Sequence, residues 1–262
     1  MKAGSDADYR ECRLRKLNAN HSRLFIINGN FYWSGALIVI LCIDQVIPAE
    51  LLQRVQATLA DASFRDGRET AGWHARTVKL NQQADSRQPE VAALRQALTA
   101  ELQRHPLFQM AARPKRIKPL MFSRYEQGMS YGNHVDDAVM ATPQGAMRSD
   151  LSFTLFLNDP DSYDGGELLI DSTAGEQTYK LPAGALILYP SSTLHRVEPV
   201  TRGQRLAAVG WTQSQVRDPQ QREILFDLDT TRRQVFEESG KSRTFDMLSK
   251  SLANLLRMWA DP

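Results

Sequence analysis

The chain has 262 residues, 42% of them hydrophobic, enough to bury a full core as one large domain or as one domain with an appendage. Lys and Arg number 32 against 30 Asp and Glu, a formal net charge of +2, so electrostatics gives no ground for nucleic acid as a partner. Two cysteines, Cys12 and Cys42, with no CxxC, argue against a disulfide framework or a thiolate metal site and fit a reducing cytoplasm, and no apolar run reaches the roughly 20 residues that span a membrane.

Residues 1–35 form a compositionally separate N-terminal extension, with Lys2, Arg10, Arg13, Arg15, Lys16 and Arg23 against Asp6, Asp8 and Glu11. It ends in an apolar, turn-containing patch at 24–33 without a clear period. Residues 36–43 read as a buried strand, and Pro48 opens a helix with Leu51, Leu52, Val55 and Leu59 at helical spacing. A second helix spans 90–104, with Val91, Leu94, Leu98 and Leu102 on one stripe and Pro106 marking its end.

Between about 117 and 213 the pattern changes to short alternating runs separated by Gly, Pro, Asn and Asp. Strands are expected at 152–157, 167–170, 184–189, 195–200 and 205–211, with a turn-rich loop at 158–166. Several strands at this spacing predict a two-sheet sandwich or barrel such as a jelly roll. After about 214 the pattern is helical again, at 220–238 and 242–259, split by Gly240. Leu248, Leu252, Leu255 and Leu256 suit either covering the sheet or meeting another subunit, so a homo-oligomer stays open. The expected fold class is α+β, with a main domain at 36–213 and a helical C-terminal extension at 214–262.

The chemistry begins at His134-Val135-Asp136, where residues i and i+2 of an extended segment point the same way and can grip one ion. Alone the pair is weak: five histidines and 18 aspartates give about one chance HxD in three chains of this composition. His195 strengthens it, since it lies 59 residues beyond Asp136 at the start of an expected strand that a sandwich folds back onto the first pair. Two neutral imidazoles and one carboxylate leave three positions of an octahedral ion open, the facial triad of non-haem Fe(II) oxygenases. Ten residues further, Arg205 sits on a strand neither of whose faces reads as solvent-facing. A guanidinium there needs an anion, and the distal carboxylate of 2-oxoglutarate fits its planar fork. The competing reading is a surface arginine paired with Glu198 across a hairpin.

Residues 124–136 (RYEQGMSYGNHVD), Gly165-Gly166-Glu167-Leu168, and His195 through Arg205 to Trp211 together resemble the prolyl/lysyl-hydroxylase-type dioxygenases, specifically the bacterial PKHD-type hydroxylases. The resemblance covers roughly residues 36–262, and the first 35 have no counterpart. It implies that 36–213 is an Fe(II)/2-oxoglutarate dioxygenase domain with a double-stranded β-helix (jelly-roll) core at about 117–213 and flanking helices. It also implies Fe(II) at His134, Asp136 and His195, 2-oxoglutarate at Arg205, and L-ascorbate (vitamin C) as a stimulating reductant. It further implies hydroxylation of a substrate C–H bond by O₂, with 2-oxoglutarate decarboxylated to succinate and CO₂. No side-chain acid or base is required beyond the metal ligands.

On that reading Tyr125 donates its hydroxyl to 2-oxoglutarate and Trp211 walls the substrate pocket. Tyr125 has a competing structural role, since strand tyrosines are mostly structural. Gly165 and Gly166 read as turn geometry, Glu167 as a solvated strand residue, and His21, His74 and His105 as structural or surface histidines. Asp137 points away from Asp136 on an extended chain. Lys79-Leu80-Asn81-Gln82-Gln83 is polar for its place and within reach of the substrate mouth. The substrate stays open between a peptidyl side chain and a small metabolite such as a siderophore, and the alternative from another class is a non-catalytic iron or 2-oxoglutarate sensor.

Overall fold

A computed structural model describes residues 24–25, 40–172 and 175–262. The N-terminal extension other than 24–25, His21 and the first residues of the strand expected at 36–43 therefore lie outside the described residues.

In chain order, β1 (Leu24–Phe25) and β2 (Leu41–Ile43) precede α1 (Ala49–Asp61), β3 (Phe64–Asp66), β4 (Lys79–Leu80), β5 (Gln82–Ala84), α2 (Pro89–Arg104) and α3 (Pro106–Ala112). Then come β6 (Pro114–Ile117), β7 (Met121–Tyr125), β8 (Ser130–His134), the hairpin β9 (Val139–Thr142) and β10 (Gly145–Arg148), and β11 (Leu151–Phe156). They are followed by β12 (Asp164–Gly165), β13 (Leu168–Ser172), β14 (Gly175–Tyr179), β15 (Leu186–Pro190), β16 (Leu194–Val197), β17 (Val200–Arg202) and β18 (Arg205–Ser214). Helices α4 (Pro219–Ser239) and α5 (Arg243–Trp259) follow.

Among the described residues, nine strands make a major sheet in the order β1-β2-β15-β11-β18-β7-β5-β3, with β6 also on β18, and five make a minor sheet in the order β14-β13-β16-β8-β4. The strands at the centre of both sheets pair antiparallel. Tyr125, Phe156, Ile187 and Tyr189 of the major sheet pack against Leu168, Ile170, Tyr179 and Val197 of the minor sheet, so the two lie face to face. The other face of the major sheet, through Phe122, Phe153, Leu155, Leu186, Leu206 and Ala208, meets the apolar stripes of α1, α2 and α3. The result is the expected jelly-roll core with helices on one side.

The alternation along β18 follows from this sandwich. Leu206 and Ala208 turn to the helices, whereas Arg205 and Trp211 turn into the space between the sheets. Helix α3 is an addition to the elements expected: Pro106 ends α2, as its missing N–H requires, and also serves as the first residue of α3. His105, a structural histidine as expected, caps α3 by accepting from the Phe108 N–H. In the C-terminal extension α4 packs on α3 through the Arg113–Asp229 ion pair, with Phe226 against the helical side of the core. Leu225 and Leu252 bury with Val216 in a small apolar cluster of their own, with Leu255 and Leu256 partly buried beside them. No described helix is long and apolar enough to cross a membrane.

Candidate active site

Strands β8 and β16 are neighbours in the minor sheet, and their register sets His134 directly opposite His195. The two imidazole centroids lie 4.2 Å apart. Each ring is fixed from behind by a backbone carbonyl two residues earlier: Nδ1 of His134 lies 2.9 Å from the Gly132 oxygen, and Nδ1 of His195 lies 3.0 Å from the Thr193 oxygen. A carbonyl can only accept, so Nδ1 carries the proton and Nε2 keeps its lone pair for a metal. Burial, and then the neighbouring His195, push the His134 imidazole down to about 4, which keeps it in the neutral form that a cation requires. Tyr131 stacks on the His134 ring at 3.6 Å and sets its plane.

Asp136 lies two residues beyond the end of β8 and returns its carboxylate to the same spot, 3.8 Å from Nε2 of His195. The Ser152 hydroxyl of β11 donates to its Oδ2 at 2.6 Å, and Ser191 stands 2.8 Å behind Ser152. Ligand atoms of His134, Asp136 and His195 all lie within 4.8 Å of one another, a spacing that one ion can bridge. Asp137, as its opposite direction predicts, does not join this group.

Arg205 opens β18 opposite Tyr125 of β7 and is only 1% exposed. Its guanidinium lies 5.1 Å from the Tyr125 ring and 5.4 Å from the Phe156 ring. No carboxylate of the described residues forms an ion pair with it, and its Nε is buried without a hydrogen-bond partner. Glu198, the partner of the competing reading, is instead held by Arg196 at 2.6 Å. The neighbouring Tyr163 hydroxyl makes no well-formed hydrogen bond among the described residues; burial pushes its phenol up, and the adjacent Arg205 guanidinium draws it partly back. A buried cation beside unsatisfied donors is unfavourable unless an anion joins it.

Gly165 and Gly166 serve the turn as expected, both with φ near +70°. Gly166 does more, because a Cβ there would sit 3.1 Å from Cδ of Arg205 and 2.9 Å from Val200. Glu167 is half-buried and lies 4.0 Å from Lys180.

One cavity of about 250 Å³ between the sheets collects His134, Asp136, His195, Arg205, Tyr125 and Trp211. The phenol of Tyr125 is pushed up by burial, so it stays a donor at neutral pH. Trp211 is buried with its indole N–H unpaired, and Lys118 lies 5.0 Å from its ring. The donor set fits a divalent ion with open positions, and the orphaned guanidinium fits a carboxylate.

Ser152, Ser191, Tyr131 and Tyr163 do not stand out in the sequence as site residues. Alternation in β11 offered a signal, since Ser152 and Thr154 share one face of a strand buried on both sides, and polar groups are placed there only with partners.

Two family models match the chain: the 2OG-Fe(II) oxygenase superfamily over residues 120–213 and the PKHD-type hydroxylase C-terminal domain over residues 219–261. A PKHD-type hydroxylase of Synechococcus sp. is 59% identical over 223 residues, 85% of this chain and 100% of that protein. One of Acaryochloris marina is 56% identical over the same shares of each chain. Among solved structures, the non-haem α-ketoglutarate-dependent epimerase SnoN from nogalamycin biosynthesis shares the fold with a TM-score of 0.50 at 14% identity, covering 68% of this chain and 78% of that one. With this identity along the whole length of its relatives, the chain belongs to the PKHD-type hydroxylases and is an enzyme of the 2-oxoglutarate- and Fe(II)-dependent oxygenase superfamily.

Proposed function

We propose that the protein hydroxylates a C–H bond of its substrate, with His134, Asp136 and His195 holding Fe(II) and Arg205 holding the distal carboxylate of 2-oxoglutarate. The observation that carries this reading is the presence, in one cavity, of a three-ligand group and a buried guanidinium without a counter-ion among the described residues. When bound, the metal and 2-oxoglutarate supply the oxidation, using O₂ and releasing succinate and CO₂.

The chain's own residues bind, orient and enclose. The backbone carbonyls of Gly132 and Thr193 fix the imidazole tautomers, and Ser152 fixes the Asp136 carboxylate so that it does not swing away from the site. Arg205 gives the co-substrate a charge-assisted anchor in a dry setting, and Tyr125, opposite it in the register, donates its hydroxyl to the same ligand. Trp211 closes the wall on the substrate side. L-Ascorbate, as the family resemblance implies, would serve as a stimulating reductant. The substrate is either a peptidyl side chain or a small metabolite.

The test is conversion of 2-oxoglutarate to succinate by the Fe(II)-loaded protein. Asp136→Ala is expected to reduce it to background. Arg205→Leu is expected to weaken 2-oxoglutarate about 10- to 100-fold, the size of a lost hydrogen bond to a charged group. Wild-type protein that neither binds 2-oxoglutarate nor forms succinate with Fe(II) would sink the reading.

A further inference from the structure

The segment that carries β4 and β5 has its polarity inverted. Lys79 and Asn81 are 6% and 3% exposed and Gln83 is equally buried, whereas the intervening Leu80 is 48% exposed. Side chains alternate along an extended segment, so Lys79, Asn81 and Gln83 share the face that points into the cavity of the metal group and Arg205. Folding alone favours the opposite arrangement, with the leucine inside.

These buried polar groups are incompletely satisfied. The Lys79 ammonium donates to the Thr70 hydroxyl at 3.1 Å, and that hydroxyl lies 2.7 Å from Oε1 of Gln83, so the amine is oriented with N–H groups to spare. No carboxylate of the described residues forms an ion pair with Lys79. Both polar atoms of the Asn81 carboxamide are buried without a well-formed hydrogen bond among the described residues, with the Tyr125 hydroxyl beside them. Gly67 permits this placement, because a Cβ on it would collide with Oδ1 of Asn81. Half-buried Lys118 reaches the same cavity from the side of Trp211.

The charges of the cavity point the same way. Its wall carries three cations, Lys79, Lys118 and Arg205, against two carboxylates, Asp136 and Asp137. A divalent metal and dianionic 2-oxoglutarate cancel each other, which leaves one positive charge unmatched. Lys79, Asn81 and Lys118 precede the stretch matched by the superfamily model, residues 120–213.

We propose that Lys79 and Asn81, assisted by Lys118, dock a carboxylate of the primary substrate, so that the enzyme acts on an anionic molecule or residue and disfavours lysyl and arginyl side chains. This rests on the reading of Arg205 as the 2-oxoglutarate anchor.

The test uses the Fe(II)- and 2-oxoglutarate-loaded protein without oxygen, followed by calorimetric titration. The probes are hexanoate, benzoate and N-acetylglycine, each compared with its neutral primary amide. At least one acid is expected to bind tenfold or more tighter than its amide. Lys79→Met should remove that preference, and Lys79→Arg should restore at least part of it. Arg205→Leu should weaken 2-oxoglutarate at least tenfold more than Lys79→Met does. Equal binding of every acid and its amide, no binding of any acid, or a preference that survives Lys79→Met overturns the proposal. So does a loss of 2-oxoglutarate in Lys79→Met as large as that in Arg205→Leu, which would make Lys79 a co-substrate residue. If wild-type protein fails to take up 2-oxoglutarate, it is the proposed function that fails.

Discussion

Lys79 shows at the scale of one residue what a site costs its fold. Burial pushes its amine from the ordinary 10.5 down to about 8, against the opposing pull of Asp136 and Asp66. Below about pH 8 both folded and unfolded chains keep the proton, and the folded state bears the whole penalty of enclosing it. Between about 8 and 10.5 the unfolded chain holds more protons than the folded one, so stability rises with pH and the penalty fades. Lys79→Met is therefore expected to stabilise the metal-free protein by about 1–3 kcal/mol at pH 7, since a tenfold change in proton affinity corresponds to about 1.4 kcal/mol. The gap between variant and wild type should narrow as pH rises above 8. Denaturant unfolding at pH 7 and pH 9.5 checks both points, and a destabilised variant at pH 7 would refute the account. The same residue shows what a sequence conceals. His134, Asp136, His195 and Arg205 stand out through residue type and spacing, because a metal and a carboxylate each demand particular groups. Lys79 stands in a segment that reads as polar for its place, but the sequence does not show that its amine is buried and forms no ion pair among the described residues.

At the scale of elements, the turn between β12 and β13 bears directly on the arginine. Gly166 adopts φ +67°, a conformation that costs an L-residue about 1–2 kcal/mol, and a methyl there presses on Cδ of Arg205. Gly166→Ala is expected to destabilise the protein by about 1–3 kcal/mol, combining that strain with the displaced neighbour. It should also raise the KM for 2-oxoglutarate several-fold, because the guanidinium must shift. A variant with lower stability but unchanged KM would show that the turn only supports the fold. The long elements were legible because their periods are long: α1, α2, α4 and α5 each repeat an apolar stripe over several turns. The seven-residue α3 and the two- and three-residue strands β3 to β5 carry too few periods to read, and their places are decided by tertiary pairing. The inverted polarity of β4 and β5 concealed them further, since a strand with its polar side inward violates the pattern by which strands are recognised.

Across the whole molecule, the active-site cavity and the C-terminal hairpin lie on different layers. The cavity opens between the two sheets, whereas α4 and α5 attach to the helical side through α3. The attachment centres on Asp229, which is buried and meets Arg113 at 3.7 Å, with Arg232 and Arg233 completing its surroundings. Arg113 also donates to the Leu225 carbonyl, so the pair ties α4 to the chain just after α3. Removing one partner of a buried ion pair leaves the other charge enclosed and unpaired, which typically costs about 3–5 kcal/mol. Burial already pulls the Arg113 guanidinium down and Asp229 opposes this, so Arg113 is the group left exposed to that penalty. Asp229→Ala is therefore expected to lower stability by about this amount, measured by denaturant unfolding. Well below its own melting temperature the variant should retain the wild-type KM for 2-oxoglutarate, because no atom of the cavity wall is moved. A loss of 2-oxoglutarate affinity in a folded Asp229→Ala protein would instead mean that the helical hairpin is coupled to the site through the major sheet. The strand β18 offers a direct route for such coupling, since it carries Arg205 at one end and leads through Ser214 into the hairpin at the other.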